Sequence, residues 1–214
     1  AVMEAFHKEY KPDGYLCDQF VSKLWGIETS NTLFFINNLS ITSGVKSEPV
    51  KNGDRIIASV NADDKYYSDY FSYFGKTAIT GITGGSVTLC LQGFMGMTQN
   101  ADPQAIPNAE LGIVSEDGFQ KLDGIVTDQD GKVVIQLDKD TFQAGKTYYL
   151  SARGTVPTTA TDWNTAGNPA VNVDAPLIAP ICKITVDSKV AAGVKATRIT
   201  HLKTKASKGK VTLT

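Results

Sequence analysis

The sequence predicts a small α+β domain followed by an all-β sandwich, and three observations predict it. An apolar run at helical spacing opens the chain and gives way to two strand-like segments. Beyond residue 86 nearly every segment alternates apolar with polar residues, with turn signals between them. A stretch rich in glycine and threonine separates these two patterns. The 214 residues have room for two modules of roughly 100 to 150 residues each. A hydrophobic share of 42% and a charged share of 20% exclude disorder over most of the length.

In chain order, Val2, Met3, Phe6 and Tyr10 stand at helical spacing, and Pro12-Asp13-Gly14 ends the run. Phe20-Val21 and Leu24-Trp25 fit a helical turn or a buried strand, and so short a run decides neither. Strands are expected over residues 32–39 and 54–61, with Asn52-Gly53 supplying turn residues that accept positive φ. The boundary falls in residues 75–86, so residues 1–76 form the first unit and 87–188 the second. In the second unit Val87/Leu89/Leu91, Ala109/Leu111/Ile113, Val133/Ile135/Leu137, Tyr148/Leu150/Ala152 and Ile184/Val186 each make one apolar strand face. Glu116-Asp117-Gly118, Asp128-Gln129-Asp130-Gly131 and Gln143-Ala144-Gly145 mark turns, and residues 154–172 read as a long irregular loop.

Composition excludes several function classes. No stretch approaches the roughly 20 apolar residues of a membrane span. The net charge of -1 conceals a division, since residues 189–214 carry seven basic residues and no acid, leaving the remainder at -8. Those lysines are spread out with no aromatics between them, so no nucleic-acid partner is expected and a solvated lysine-rich face is. Cys17, Cys90 and Cys182 lack C-x-x-C spacing. In Val87-Thr88-Leu89-Cys90-Leu91 the cysteine lies on the polar face, whereas Cys182 shares a face with Ile184 and Val186, so a disulfide between them is not expected. His7 and His201 have no nearby nucleophile arrangement, and neither catalysis nor a cofactor is expected.

Binding is a different matter. Tyr66, Tyr67, Tyr70 and Tyr73 crowd into Tyr66-Tyr67-Ser68-Asp69-Tyr70-Phe71-Ser72-Tyr73-Phe74, where flat faces and hydroxyls suit stacking on sugars or peptides, or alternatively core and edge of a small domain. Trp163 stands in the irregular stretch, either as a contact residue or as a cap on the sandwich edge. Asp63, Asp64 and Asp69 could surround a hard cation but read better as solvated loop carboxylates. Asp128-x-Asp130-Gly131 lacks the spacing of an EF-hand loop and reads as a turn.

Three parts of the chain carry family resemblances. Leu24-Trp25-Gly26-Ile27, Phe34-Phe35-Ile36-Asn37-Asn38 and Val50-Lys51-Asn52-Gly53-Asp54-Arg55-Ile56 resemble the bacterial domain family of unknown function related to the C-terminal domain of transcobalamin. Phe34 and Asn38 stand where that family usually has Trp and Gly. The resemblance implies a β-grasp-like fold in a secreted or surface-attached protein and, as an alternative function, binding of cobalamin or another corrinoid. Ile106-Pro107-Asn108-Ala109-Glu110, residues 127–133 and Gly145-Lys146-Thr147-Tyr148-Tyr149-Leu150-Ser151-Ala152 look like the immunoglobulin-like or prealbumin-like modules of Gram-positive surface proteins. Those modules sometimes hold a Lys-to-Asn isopeptide formed beside a Glu, but Ala152 takes that place here and residues 87–92 hold no lysine, so none is expected. Residues 195–214 resemble the first strands of a fibronectin type III module, which implies further modules of the same polypeptide. The expectation is an α+β, β-grasp-like domain and an immunoglobulin-like sandwich in an extracellular bacterial protein. It would act in adhesion, spacing or ligand binding, with a glycan, protein or small molecule as partner, or as an accessory region of a cell-wall hydrolase.

Overall fold

A computed structural model describes residues 2–188 apart from 19, 42, 99 and 100. The expectations for the basic segment, His201 and the fibronectin-like end lie outside the described residues.

Helix α1 (Val2–Tyr10) begins with Glu4 in its first turn and ends with Lys8 in its last, the arrangement its dipole favours. It stops where Asp13 turns to positive φ (64°) and the Gly14 N–H bonds the Lys11 carbonyl. Its buried residues are Met3 and His7, while Val2, Phe6 and Tyr10 stay exposed. Strands β1 (Leu16–Cys17), β2 (Val21–Leu24) and β3 (Ile27–Glu28) follow as one small antiparallel sheet. Trp25 and Gly26 join β2 to β3 with φ of 56° and 84°, the double positive φ that a tight hairpin needs. A second sheet places β4 (Thr32–Ile36) between β5 (Leu39–Ser40) and β6 (Ile56–Val60).

The expected α+β, β-grasp-like domain is therefore corrected. Strand makes up 50% of the described residues and helix 5%, all of it in this nine-residue element. Nine residues rise only about 14 Å, and α1 places one apolar side chain, Met3, in the local core with Val21, Leu24 and Phe34. The ambiguous run at residues 20–25 becomes a strand because Leu24 pairs with Ile27 across the turn.

The remaining strands are β7 (Tyr70–Phe74), β8 (Ala78–Ile82), β9 (Ser86–Met95), β10 (Gln104–Ala105), β11 (Glu110–Ser115), β12 (Gly118–Val126), β13 (Lys132–Gln136), β14 (Thr147–Arg153), β15 (Thr155–Thr161), β16 (Ala170–Ile178) and β17 (Cys182–Asp187). One sheet runs β10-β9-β7-β16-β15, with β13 also on β9, and the other runs β12-β11-β14-β17-β8. A single core draws on both: Leu89, Leu91, Val133 and Ile135 from the first, Leu111, Leu150, Ile184 and Val186 from the second. The alternating faces expected for this region are those that point inward, and they explain why Cys182 is buried while Cys90 is exposed; both thiols are free, as is that of Cys17 in β1.

Two expected boundaries look different in three dimensions. Strand β7, inside the expected first unit, is a central strand of the sandwich, antiparallel to β9 and parallel to β16. Residues 75–77 then carry the chain from one sheet to the other, where β8 runs parallel to β17. Gly81 packs closely there: a Cβ would lie 2.2 Å from a methyl of Leu137, so a larger residue would make that side chain move. The stretch expected as an irregular loop, residues 154–172, is instead mostly the β15–β16 hairpin, paired from Thr155↔Pro176 to Thr161↔Ala170. On the outer face of β7, Phe71 stacks on Phe35 of β4 with centroids 3.8 Å apart, and Leu33, Tyr73, Phe94 and Ile178 complete that cluster.

Candidate functional site

Two loops frame the candidate site, and each is held by its own aspartates. In residues 61–69 the Asp69 carboxylate accepts the N–H groups of Ala62 and Asp63 at 2.8 Å each. Asp63 in turn accepts the N–H groups of Lys65 and Tyr66, both at 3.0 Å, together with the Ser68 hydroxyl at 2.5 Å. Burial pushes the Asp69 carboxyl above its ordinary value, with its N–H donors opposing and the nearby Asp63 charge adding. For Asp63 burial also acts against the charge, but the bonds from Ser68, Tyr66 and Lys65 outweigh it and hold the carboxyl low. This web fixes Tyr67 at a φ of 54°, a conformation a bulky residue rarely adopts.

The second loop, residues 162–169, closes through the Asp162 N–H to the Pro169 carbonyl at 2.9 Å. The Asp162 carboxylate accepts the Thr165 hydroxyl and the Asn164 N–H, both at 2.9 Å, and the Thr165 bond foremost lowers its pKa. Asn164 then reaches across, donating its Nδ2 to the Lys65 carbonyl at 3.3 Å. This bond sets the two loops side by side.

Between them and the edge of the small sheet lies a cleft of about 380 Å³, lined by Ser30, Asn31, Thr32, Asn61, Tyr67, Met97 and Trp163. Trp163 is 59% exposed and Tyr67 half-buried. The β4–β6 ladder sets Thr32 opposite Val60, so Asn31 and Asn61 meet just past its end. Asn61 donates its Nδ2 to Asn31 Oδ1 and its backbone N–H to the Asn31 carbonyl at 3.0 Å. Although Asn61 is only 7% exposed, its own Oδ1 has no partner. Asn31 Nδ2 makes one long bond, 3.5 Å, to the Asp63 carbonyl. The lining residues include none with a formal charge.

Of the five expected binding residues, the structure brings Tyr67 and Trp163 together in this cleft. Tyr66 is half-buried beside it, with Lys65 Nζ 4.4 Å above its ring. Tyr70 and Tyr73 are corrected: at 7% and 9% exposure they belong to the core, because β7 is covered by the sandwich interior on one face and by β4 on the other. Asn31 and Asn61 were missed by sequence reasoning, and the signal that could have found them is strand register, since pairing residues 32–36 with 56–60 makes them neighbours.

Neither carboxylate group noted in the sequence gathers around an open centre. Asp63 and Asp69 are occupied by loop N–H groups, and Asp128 accepts those of Asp130 at 2.9 Å and Lys132 at 2.8 Å within its turn. Among the described residues no group of three His, Cys, Asp or Glu side chains could hold a metal ion. His7 is enclosed by Tyr15, stacked at 5.3 Å, and Trp25 at 4.7 Å. No helix among the described residues is long and apolar enough to cross a membrane. No protein-family model matches this chain, and no curated protein sequence is similar to it.

Proposed function

We propose that this chain is a non-catalytic binding part of a secreted or surface-displayed bacterial protein, and that it holds its ligand in the cleft between Tyr67 and Trp163. The observation that carries this reading is the placement of Trp163. A large aromatic stands 59% exposed on a loop whose backbone is held by Asp162 and tied through Asn164 to the loop that orients Tyr67. A tryptophan presented on a pre-ordered frame loses little conformational entropy on contact, the property that concentrates binding energy in such residues. The extracellular setting is supported by the resemblance to surface modules and by the succession of short alternating strands.

The test is retention on immobilised arrays of glycans, peptides and small molecules, comparing the wild type with Trp163→Ala. A ligand held by the wild type and lost by the variant, at unchanged melting temperature, is the expected result. Ligands held equally by both proteins would overturn the assignment of the cleft. A melting temperature lowered by several degrees in the variant would assign Trp163 to capping the hairpin instead. Absence of both a secretion signal and a surface anchor from the complete gene would overturn the extracellular setting.

A further inference from the structure

We infer that the cleft takes a neutral carbohydrate, a pyranose ring stacked on Trp163 with its hydroxyls on the Asn31–Asn61 amide pair. The inference rests on the cleft being the binding site, and it adds the chemical class of the ligand. Three features of the lining point to that class.

The first is neutrality. All seven lining residues are uncharged, and among the charged side chains of the two framing loops Lys65 lies over the Tyr66 ring, Asp63 and Asp162 are taken up by loop donors, and the exposed Asp64 stands outside the lining. An ionic ligand would leave water here without a counter-charge, at a heavy desolvation cost. The second is the pairing of aromatic and amide groups within one small cleft. A pyranose has a face of C–H groups and a rim of hydroxyls, so it needs an apolar plane with polar groups beside it, which Trp163 and Tyr67 supply next to Ser30, Asn31, Thr32 and Asn61. The third is unused hydrogen-bonding capacity of both kinds. Asn61 Oδ1 is an acceptor without a donor, and Asn31 Nδ2, with two hydrogens, has one long bond. A sugar hydroxyl both donates and accepts, so it suits an amide pair that keeps a spare acceptor on Asn61 and a spare donor on Asn31. The volume, about 380 Å³, is near the lower end of ligand sites and suits one or two rings of a longer chain lying across the surface.

The experiment titrates the 214-residue protein with soluble neutral tetrasaccharides built from glucose, mannose, galactose and N-acetylglucosamine in α and β linkage, by calorimetry. Saturable binding of at least one is expected, weakened about tenfold or more in Trp163→Ala, largely retained in Trp163→Phe, and unchanged within twofold between about 0.05 and 0.5 M salt. No binding of any of these oligosaccharides at millimolar concentration overturns the inference. Should a peptide or an anionic ligand from the arrays be lost in Trp163→Ala while every neutral oligosaccharide fails, the carbohydrate class falls and the binding cleft stands. Oligosaccharide binding untouched by Trp163→Ala overturns both. A wild-type-like amide NMR spectrum for Trp163→Ala separates loss of contact from loss of fold.

Discussion

Tyr67 and Asp63 divide one task between them, since the tyrosine supplies the ring and the aspartate holds the backbone that aims it. Asp63→Ala removes the acceptor for several N–H groups of residues 65–68 and should cost about 2 kcal/mol at pH 7, read by urea denaturation. The pH dependence follows from the lowered Asp63 carboxyl, held down by Ser68, Tyr66 and Lys65 against the effect of burial. Its contribution is complete above the ordinary carboxyl value of about 4 and is lost as pH falls through the lower folded value, so the stabilities of wild type and variant should draw together as the pH is taken below the ordinary carboxyl range. Asp69, raised chiefly by burial, has the opposite sign and contributes stability that is lost as pH rises through its folded value. Convergence on raising the pH, rather than lowering it, would show that Asp63 is not the group responsible. At this scale the sequence was half legible. The density of tyrosines drew attention to residues 66–74, but a side chain's chemistry does not say which way its strand faces, and only pairing on both sides of β7 shows that Tyr70 and Tyr73 are core.

Single elements were legible wherever one face met the core and the other met water. The inward faces of β9, β11, β13, β14 and β17 follow their alternation, and Gly118, Gly131 and Gly145 take positive φ at the expected turns. The β15–β16 hairpin escaped because its threonines blur the contrast between faces: β-branched side chains favour a strand, but they carry no apolar period. The β4–β5 hairpin escaped for another reason. Asn37 and Asn38 look like the end of a strand and are in fact its turn, with φ of 53° and 66°. Asn37 further donates its Nδ2 to Asp54 at 2.8 Å and accepts the Arg55 N–H at 3.0 Å, fastening this turn to the start of β6. Asn37→Ala should therefore destabilise by about 1–2 kcal/mol, and Asn37→Gly, which relieves the positive φ but not the lost bonds, by less. Equal losses in chemical denaturation would mean that the hydrogen bonds, and not the backbone conformation, set the cost.

For the whole molecule, the decisive fact is that β7 belongs to the sandwich although it precedes the glycine-rich segment that composition marks as a boundary. Composition reads that segment as a linker because Gly and Thr bury little. In the fold it holds the crossing between sheets at residues 75–77, strand β8 and the turn into β9, and a Cβ at Gly81 within β8 would press on Leu137. A fragment of residues 77–188 would lack β7, exposing the edges of β9 and β16 and removing Tyr70 and Phe74 from the core. It should be aggregation-prone and poorly dispersed by NMR, whereas residues 68–188 keep every strand of both sandwich sheets. The longer fragment still exposes Phe71, Tyr73 and Phe94, which the β4 side of the molecule otherwise covers through the Phe35–Phe71 stack. In the intact chain Phe35→Ala should thus cost about 3–5 kcal/mol, and it should do so in one cooperative transition, because that stack ties the small sheets to the sandwich. Two separate transitions in the wild type, with Phe35→Ala shifting only the earlier one, would show instead that the small sheets and the sandwich unfold independently.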